Sequence, residues 1–256
     1  MFPTRVEIIP TAGIVDTVAA QLPVGSTVTV TCLPHHGIER TMAAALELAE
    51  RGYAAVPHLA ARAVSGKAQL RSILADCASA GITEVFTIGG DTQQPAGPYA
   101  CALAMMRDIA ESSGGTITMG VAGYPEGHPA IPAGVLLADL AAKAELAAGI
   151  TTQMCFSADT INPYADALRR EGIELPVWAG VAGAVPRTKL LALASKIGVG
   201  TSLRFLSKKA SLARNMLGGE RYQPEDLIDG LSPTAIAGLH LYSFNSLATL
   251  PLPALR

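Results

Sequence analysis

The chain has few aromatic residues and few charged ones. Phe, Trp and Tyr make up 5% of its 256 residues, and charged residues make up 16%. The 19 Lys and Arg are nearly balanced by 21 Asp and Glu, and they form no dominant basic patch. Proteins that bind nucleic acids normally carry such a patch. We therefore expect no nucleic-acid partner.

The long apolar segments of membrane proteins are also missing. No window of about 18 residues is free of charged and turn-forming residues, whereas a transmembrane helix needs about 20 mostly apolar residues. The segment that begins at Met1 reaches an acidic residue at Glu7 and does not resemble a secretory signal peptide. These absences predict a cytoplasmic protein that does not contact a membrane.

Paired cysteines and metal-binding motifs are absent as well. No CxxC pair is present, which argues against a zinc ribbon, and the cysteines have the apolar or small neighbours of reduced core residues. They are Cys32, Cys77, Cys101 and Cys155. The adjacent His35 and His36 would point apart on a strand, and no HExxH motif occurs. We expect a reduced compartment and no catalytic metal.

What the sequence does contain is a repeated alternation of apolar, β-rich runs and amphipathic helical segments. Such alternation is typical of a parallel sheet, and eight units in about 250 residues predict an α/β fold, a single (β/α)8 TIM barrel that forms one catalytic domain over residues 1–256. The runs are Arg5–Thr11, Thr27–Leu33, Ala55–Ala60, Glu84–Gly90, Thr116–Tyr124, Thr151–Ser157, Val177–Gly183 and Gly238–Phe244. A doubly wound sheet is the main alternative, which the lack of a GxGxxG motif after the first run disfavours. We expect Ala, Val, Leu and Ile to fill the barrel interior.

Helical segments lie between these runs. The clearest are Glu39–Arg51, Lys67–Ser79, Pro98–Ser112 and Gly134–Ala148. Glycines that precede the strands are predicted to end helices. They are Gly52, Gly81, Gly172 and Gly238.

The stretch Gly198–Ser232 is longer than one helix. It predicts an insertion with two helical runs, Leu203–Leu217 and Pro224–Leu231. Its basic residues are either the solvated face of a helix or a surface that attracts an acidic ligand tail. They are Arg204, Lys208, Lys209 and Arg214.

Two polar residues within or after the predicted strands are candidates for function, because active sites of such barrels lie at the carboxyl ends of the strands. Glu7 lies within an apolar strand, where desolvation favours the protonated carboxyl group and makes it a candidate general acid. Asp91 follows two glycines that allow a ligand close to the backbone, although a turn or capping role is equally open. His58 alone is better explained as a satisfied core residue.

Short motifs at the strand ends together resemble the methylenetetrahydrofolate reductase family, in order and over nearly the whole chain. The most specific is the family's Tyr-Pro-Glu-x-His-Pro, which occurs at residues 124–129. The others are Glu7-Ile8-Ile9-Pro10, Pro57-His58-Leu59, Gly89-Gly90-Asp91, Ala148-Gly149, Thr152-Gln153-Met154-Cys155-Phe156, Ala179-Gly180-Val181 with Pro186, and Leu241-Tyr242-Ser243-Phe244-Asn245.

The resemblance implies roles for individual residues. Glu7 would be the general acid that helps to open the five-membered ring of methylenetetrahydrofolate to an iminium ion. Asp91 would hold the pterin ring, and Gln153 would hydrogen-bond folate and nicotinamide. The residues that line the family's flavin site would be Thr31, His58, Tyr124 and His128.

Three departures from the family all concern the flavin. Gly89 replaces an arginine before Gly-Asp, Ser246 replaces the arginine after Tyr-x-x-Asn, and the helix at residues 140–146 carries Lys143 where the family has a basic cluster that grips the flavin phosphate. A phosphate needs several donors or charges. We therefore expect no tightly bound FAD or FMN, and the chain resembles the short divergent members that transfer hydride directly from NADH.

The sequence thus predicts an NAD(P)H-dependent oxidoreductase that reduces 5,10-methylenetetrahydrofolate to 5-methyltetrahydrofolate with NADH. Three alternatives stay open: a flavin-dependent member of the family, an enzyme that oxidises methyltetrahydrofolate in a demethylation pathway, and a folate-binding protein without activity. The acid at Glu7 argues against the last, because binding alone does not need a buried acid. The choice between NADH and NADPH and the oligomeric state stay open.

Overall fold

The computed structural model describes residues 2–183 and 224–250. Its eight parallel strands pair in chain order and close on themselves, with β8 pairing β1. The predicted single (β/α)8 barrel is therefore confirmed. The strands are β1 (Thr4–Ile8), β2 (Thr27–Val30), β3 (Ala54–Ala60), β4 (Glu84–Ile88), β5 (Thr118–Gly123), β6 (Gly149–Thr152), β7 (Val177–Ala182) and β8 (Gly238–Tyr242).

Helices follow the strands and cover the outside of the barrel. They are α1 (Ile14–Gln21), α2 (Gly37–Glu50), α3 (Lys67–Ser79), α4 (Ala102–Ser113), α5 (Ala133–Ala144), α6 (Ala158–Arg170) and the short α7 (Glu225–Asp229), with 3-10 turns at Ala61–Ala63 and Leu247–Thr249. Within the described ranges, none of the helices is long and apolar enough to cross a bilayer. The predicted run Leu203–Leu217 and the basic residues Arg204, Lys208, Lys209 and Arg214 lie outside the described residues.

Several element ends differ from the sequence-based predictions. The last strand ends at Tyr242, because Phe244 and Asn245, which follow shortly after it, have positive φ angles of 48° and 63° that a strand does not allow. The sixth strand begins at Gly149, which pairs with Gly120, and it stops at Thr152 instead of reaching Ser157. Strand ends are hard to predict because turn conformation and pairing partners, rather than apolar character, determine them.

Of the four glycines predicted to end helices, three have the expected left-handed conformation. Gly52, Gly81 and Gly172 have φ angles of 84°, 73° and 79°. The prediction is wrong for Gly238, which is the first residue of β8. A Cβ atom there would lie 2.4 Å from Cζ3 of Trp178, so this glycine is explained by close packing inside the barrel.

The aliphatic residues of the strands do not fill the barrel, contrary to the prediction. Val6, Ile8, Val28 and Val30 are fully buried in the core that the strands share with the helices. Because side chains alternate along a strand, the residues between them point into the barrel, and those residues are polar. On β1 and β2 the barrel interior is thus lined with polar groups, and the aliphatic core surrounds these strands.

Contacts between strands that are not neighbours identify the side chains that cross the interior. At the amino-terminal end of the barrel, Nη1 of Arg5 on β1 lies 2.5 Å from Oε1 of Glu84 on β4. The guanidinium carbon of Arg5 lies 3.9 Å from the ring centroid of Trp178 on β7. An ion pair with a cation–π contact therefore closes this end of the barrel.

Candidate active site

Glu7 lies at the middle of the barrel, one layer above Arg5. Its Oε2 atom is 3.1 Å from Nε2 of His240 on β8 and 3.7 Å from Nε2 of His58 on β3. The side chains of Glu7, His240 and His58 are 14%, 2% and 7% exposed. A nearly buried carboxyl group therefore faces two buried imidazoles, one of them within hydrogen-bond distance.

His58 is held in a largely apolar environment. Burial lowers the pKa of His58 to about 4, and this effect outweighs the attraction of Glu7, which raises the pKa. Its ring packs 4.7 Å from the ring of Phe86, and its Nε2 atom has no hydrogen-bond partner among the described residues. His58 is therefore neutral near pH 7 and does not form a true ion pair with Glu7.

Tyr242 lies above His240 on the same strand, and their rings are in edge contact with centroids 4.9 Å apart. Its hydroxyl donates a hydrogen bond of 2.9 Å to the carbonyl oxygen of Thr152 on β6, past the intervening β7. Burial, followed by the nearby Glu7, raises the pKa of Tyr242 well above 10. Gly180 makes this approach possible, since a Cβ atom there would lie 2.9 Å from the Tyr242 ring and 2.3 Å from the Thr152 oxygen.

Gln153 follows β6 at the carboxyl end of the barrel. The side-chain Oε1 of Gln153 accepts a hydrogen bond of 3.3 Å from the backbone N–H of Glu126. The backbone N–H of Gln153 donates to the carbonyl oxygen of Gly123 at 2.8 Å. The Cys155 thiol lies 3.3 Å from the carbonyl oxygen of Gln153, and burial, with a smaller contribution from Glu126, raises the pKa of that thiol. The loop after β5 thus fixes the orientation of Gln153.

That loop also carries Tyr124 and His128. Their rings are in edge contact, with centroids 5.5 Å apart. The backbone N–H of Tyr124 donates to the hydroxyl of Tyr164 at 3.2 Å, and Nδ1 of His128 accepts from the N–H of Ala130 at 3.2 Å. Burial raises the pKa of Tyr124, and the carboxylates of Asp139 and Asp91 add to the effect.

Asp91 is exposed at the start of the loop between β4 and α4. The preceding Gly90 has a φ of 88°, and a Cβ atom there would lie 3.2 Å from the Cβ of Ala60. The loop is tied to Arg62, whose Nε donates to the carbonyl oxygen of Ala100 at 3.0 Å and whose Nη1 donates to that of Thr92 at 3.2 Å. Arg62 therefore holds both ends of the loop that begins with Asp91.

Several buried polar atoms in this region have no hydrogen-bond partner among the described residues. Two of them are the hydroxyl oxygens of Thr29 on β2 and of Thr31 directly after that strand, whose residues are 2% and 7% exposed. Buried polar groups normally have a partner. The orphaned hydroxyls, together with Nε2 of His58, are suited to the polar edges of a bound ligand.

The seven predicted site residues all lie inside the barrel or at the carboxyl ends of its strands. The structure brings Glu7 close to His58, and Tyr124 close to His128, whereas Asp91 makes no close side-chain contact with them. Sequence reasoning assigned no role to His240, Tyr242 or Arg62. His240 and Tyr242 are recognisable in the sequence as polar residues of the eighth predicted strand, but nothing in the sequence indicated Arg62. Among the described residues, no group of three His, Cys, Asp or Glu is arranged to hold a metal.

Comparisons with known proteins identify the family. A family model described as methylenetetrahydrofolate reductase matches residues 12–250. A Caenorhabditis elegans protein described as probable methylenetetrahydrofolate reductase (NADPH) is 39% identical over 84 residues, which are 31% of this chain and 12% of that protein. The crystal structure of 3-dehydroquinate dehydratase from Geobacillus kaustophilus HTA426 covers 71% of this chain and 74% of its own, with 16% identity and a TM-score of 0.44, too low to bear on function.

The match to the curated relative spans about an eighth of that protein's length, so its activity does not transfer directly. The family model, in contrast, covers all strands of the barrel except β1, and with it the loops that carry Asp91, Tyr124, His128 and Gln153. Glu7 precedes the matched range, and its position rests on the barrel geometry. By the extent of the family match, the chain belongs to the methylenetetrahydrofolate reductase family.

Proposed function

We propose that this protein reduces 5,10-methylenetetrahydrofolate to 5-methyltetrahydrofolate with hydride from a reduced nicotinamide dinucleotide. The observation that carries the proposal is the carboxyl group of Glu7, which is 14% exposed in the barrel interior and lies 3.1 Å from Nε2 of His240. A carboxyl group that faces the reacting atoms of a bound substrate can act as a general acid. Family membership names the substrate class on which such an acid would act.

The chemistry assigned to Glu7 is a single proton transfer. Opening of the five-membered ring breaks the bond between N10 and the methylene carbon, and the electron pair of that bond takes the proton of Glu7. The methylene carbon is left as an iminium ion on N5, and hydride addition converts it to the methyl group. Glu7 ends the cycle as a carboxylate, and water restores its proton after the product leaves.

Gln153 and Asp91 are assigned to the pterin ring. Gln153 is fixed by Glu126 and Gly123 at the end of β6, which suits a residue that orients a planar ring. Asp91 is exposed at the end of β4, and its loop is held by Arg62. A carboxylate in that position accepts hydrogen bonds from ring N–H donors.

The nicotinamide is assigned to the space bordered by Thr31, His58, Tyr124 and His128. The orphaned hydroxyl of Thr31 and the orphaned Nε2 of His58 fit the carboxamide of a nicotinamide ring. The bound nicotinamide supplies the hydride. NADH is the proposed donor, on the resemblance to short family members.

A tightly bound flavin is not part of the proposal. The only basic side chain of α5, Lys143, is 14% exposed and contacts the carboxylate of Asp139 one turn earlier. Its charge is therefore neutralised, and a flavin phosphate would find no free cation on this helix. We further propose one catalytic domain over residues 1–256 in the cytoplasm, with folate and the dinucleotide as its only required small molecules.

The proposal is tested with the variant Glu7→Gln, which keeps the size of the side chain and removes the acid. NADH oxidation in the presence of methylenetetrahydrofolate should fall about 10²- to 10⁴-fold in kcat, the usual contribution of a general acid, with little change in folate binding. Glu84→Gln is the matched control, because Glu84 is also a carboxyl group inside the barrel but is paired with Arg5 away from the site. A wild-type kcat for Glu7→Gln would contradict the mechanism.

Kinetics and absorbance distinguish direct transfer from a flavin shuttle. Direct transfer requires both substrates to be bound together, so double-reciprocal plots should converge rather than run parallel. Stoichiometric flavin in the purified protein that NADH reduces before folate is added would refute the flavin-free form of the proposal while leaving the reaction itself in place.

A further inference from the structure

Two imidazoles face the same oxygen of Glu7, but they are not equivalent. Nε2 of His240 lies 3.1 Å from Oε2 of Glu7, within hydrogen-bond distance, whereas Nε2 of His58 lies 3.7 Å away, too far for a hydrogen bond. The other ring nitrogen of His240, Nδ1, is buried and has no partner among the described residues. His240 is thus bonded on one side only, and its partner is the proposed general acid.

We propose that His240 is a positioning residue that donates its Nε2–H to Oε2 of Glu7 and so keeps the transferable proton of Glu7 on Oε1. This inference rests on the proposed function of Glu7 as general acid. With Oε2 occupied as an acceptor, the carboxyl group has one orientation, and its proton lies on the oxygen that is free to face the substrate. After proton transfer, the same N–H stabilises the carboxylate that is left behind.

The choice of tautomer follows from the environment of Nδ1. With the hydrogen on Nε2, the buried Nδ1 is left as an unpaired acceptor. With the hydrogen on Nδ1, a buried N–H donor would have no acceptor, which is the rarer and costlier situation in proteins. That tautomer would also oblige Glu7 to donate its proton to Nε2 of His240, which would withhold the proton from the substrate.

Other groups around Glu7 do not take over this role. Among the described residues, β3 contributes the neutral His58, and β8 contributes Tyr242, whose hydroxyl already donates to Thr152. The charged groups one layer below, Arg5 and Glu84, are paired with each other. On the other side, β2 contributes Thr29, the register partner of Glu7, which carries no charge. His240 therefore supplies the only N–H within hydrogen-bond distance of this carboxyl group in the described ranges.

Two replacements of His240 separate donation from packing. His240→Leu keeps the volume and removes the donor, whereas His240→Gln retains an N–H near the position of Nε2. A hydrogen bond to a charged group contributes about 1.5–3 kcal/mol, which corresponds to about 10- to 100-fold. We expect kcat of His240→Leu to fall by that factor with little change in the KM for folate, and His240→Gln to recover most of the loss.

The pH profile gives a readout that a merely structural role would not change. Without the donor, the carboxylate form of Glu7 is less stable, so the alkaline limb of the kcat/KM profile should move to higher pH in His240→Leu but not in His240→Gln. Nitrogen NMR of histidine-labelled wild-type protein, with His240→Gln used to assign the signal, should show a protonated Nε2 and a bare Nδ1.

The outcomes distinguish the inference from the function on which it rests. An active wild type with an inactive Glu7→Gln, combined with an unshifted profile in a folded His240→Leu, would refute the role of His240 and leave the function intact. A wild type that does not reduce methylenetetrahydrofolate would refute the function. In that case the NMR measurement still decides the hydrogen bond, since a protonated Nδ1 with a bare Nε2 would overturn it.

Discussion

Buried and neutral, His58 should make the protein sensitive to mild acid. Burial lowers its pKa in the folded protein to about 4, compared with an ordinary value of 6.5. Between these two pH values the unfolded chain binds a proton at this position and the folded protein does not. The contribution of His58 to the free energy of unfolding is therefore fully present above pH 6.5, and it is lost as the pH falls from 6.5 toward 4.

The size of the effect follows from the gap between the two pKa values. One pKa unit corresponds to about 1.4 kcal/mol, so the full loss attributable to His58 is about 3 kcal/mol, and most of it is reached by about pH 4.5. A protein of this kind has about 5–15 kcal/mol of stability in total. The expected loss is thus large enough to measure in a single denaturation series.

The assay compares the wild type with His58→Leu in urea unfolding followed by circular dichroism, at pH 7.0, 6.0, 5.0 and 4.5. The free energy of unfolding of the wild type should fall about 2–3 kcal/mol further than that of the variant over this range, because a leucine side chain has no proton to gain. His35→Leu is the control, since His35 is exposed and its replacement should leave the wild-type slope unchanged. Parallel pH curves for the wild type and His58→Leu would refute the assignment of a buried neutral imidazole.

Three further predictions concern residues that shape the barrel and its loops. Gly238→Ala places a Cβ atom 2.4 Å from Trp178 and should destabilise the protein by about 1–3 kcal/mol in thermal or urea unfolding. An unchanged stability would show that the amino-terminal end of the barrel is loosely packed. Arg62→Ala removes the hydrogen bonds from Arg62 to Thr92 and Ala100 in the loop after β4. The KM for folate should rise about 10-fold, as expected for the loss of about one such hydrogen bond, with little change in kcat. A fall in kcat alone would contradict a role of Arg62 in positioning Asp91. Asn245 has a φ of 63° and forms hydrogen bonds with the backbone of Ile9. Asn245→Ala should lower the free energy of unfolding by about 1 kcal/mol more than Asn245→Gly, because glycine tolerates that conformation. Equal losses in the two variants would mean that the backbone there is not strained.

The sequence predicted the barrel well because its signal is regular and local. An apolar strand such as Thr27–Val30 followed by a helix such as Gly37–Glu50 can be recognised without knowing the partner strand, and eight repeats leave few architectures. It predicted the barrel interior wrongly. The alternation Arg5-Val6-Glu7-Ile8 distinguishes two faces of a strand, but it does not say which face turns toward the barrel axis.

The candidate site could be predicted only in part, for a related reason. Glu7 and Asp91 were indicated by a carboxyl group in an apolar run and by a pair of glycines, both of which are features of neighbouring residues. The hydrogen bond between Glu7 and His240 joins positions separated by 233 residues, and it exists only because β8 closes the barrel against β1. The hold of Arg62 on the loop after β4 depends on loop geometry, which no periodic pattern encodes.

Under the proposed function, the ion pair at the amino-terminal end of the barrel has a consequence for the timing of the reaction. Arg5, Glu84 and Trp178 close that end and leave a cavity of only about 50 Å³ beneath the layer of Glu7. In the described part of the chain, the ion pair blocks the barrel below Glu7, so under the proposed function substrate and solvent protons reach Glu7 from the carboxyl ends of the strands. A bound folate would separate the deprotonated Glu7 from bulk water, so Glu7 would regain its proton only after the product leaves. Enzyme that has bound folate in ordinary water and is then mixed with NADH in heavy water would transfer protium from Glu7 in its first turnover, so a solvent isotope effect would begin only with the second turnover.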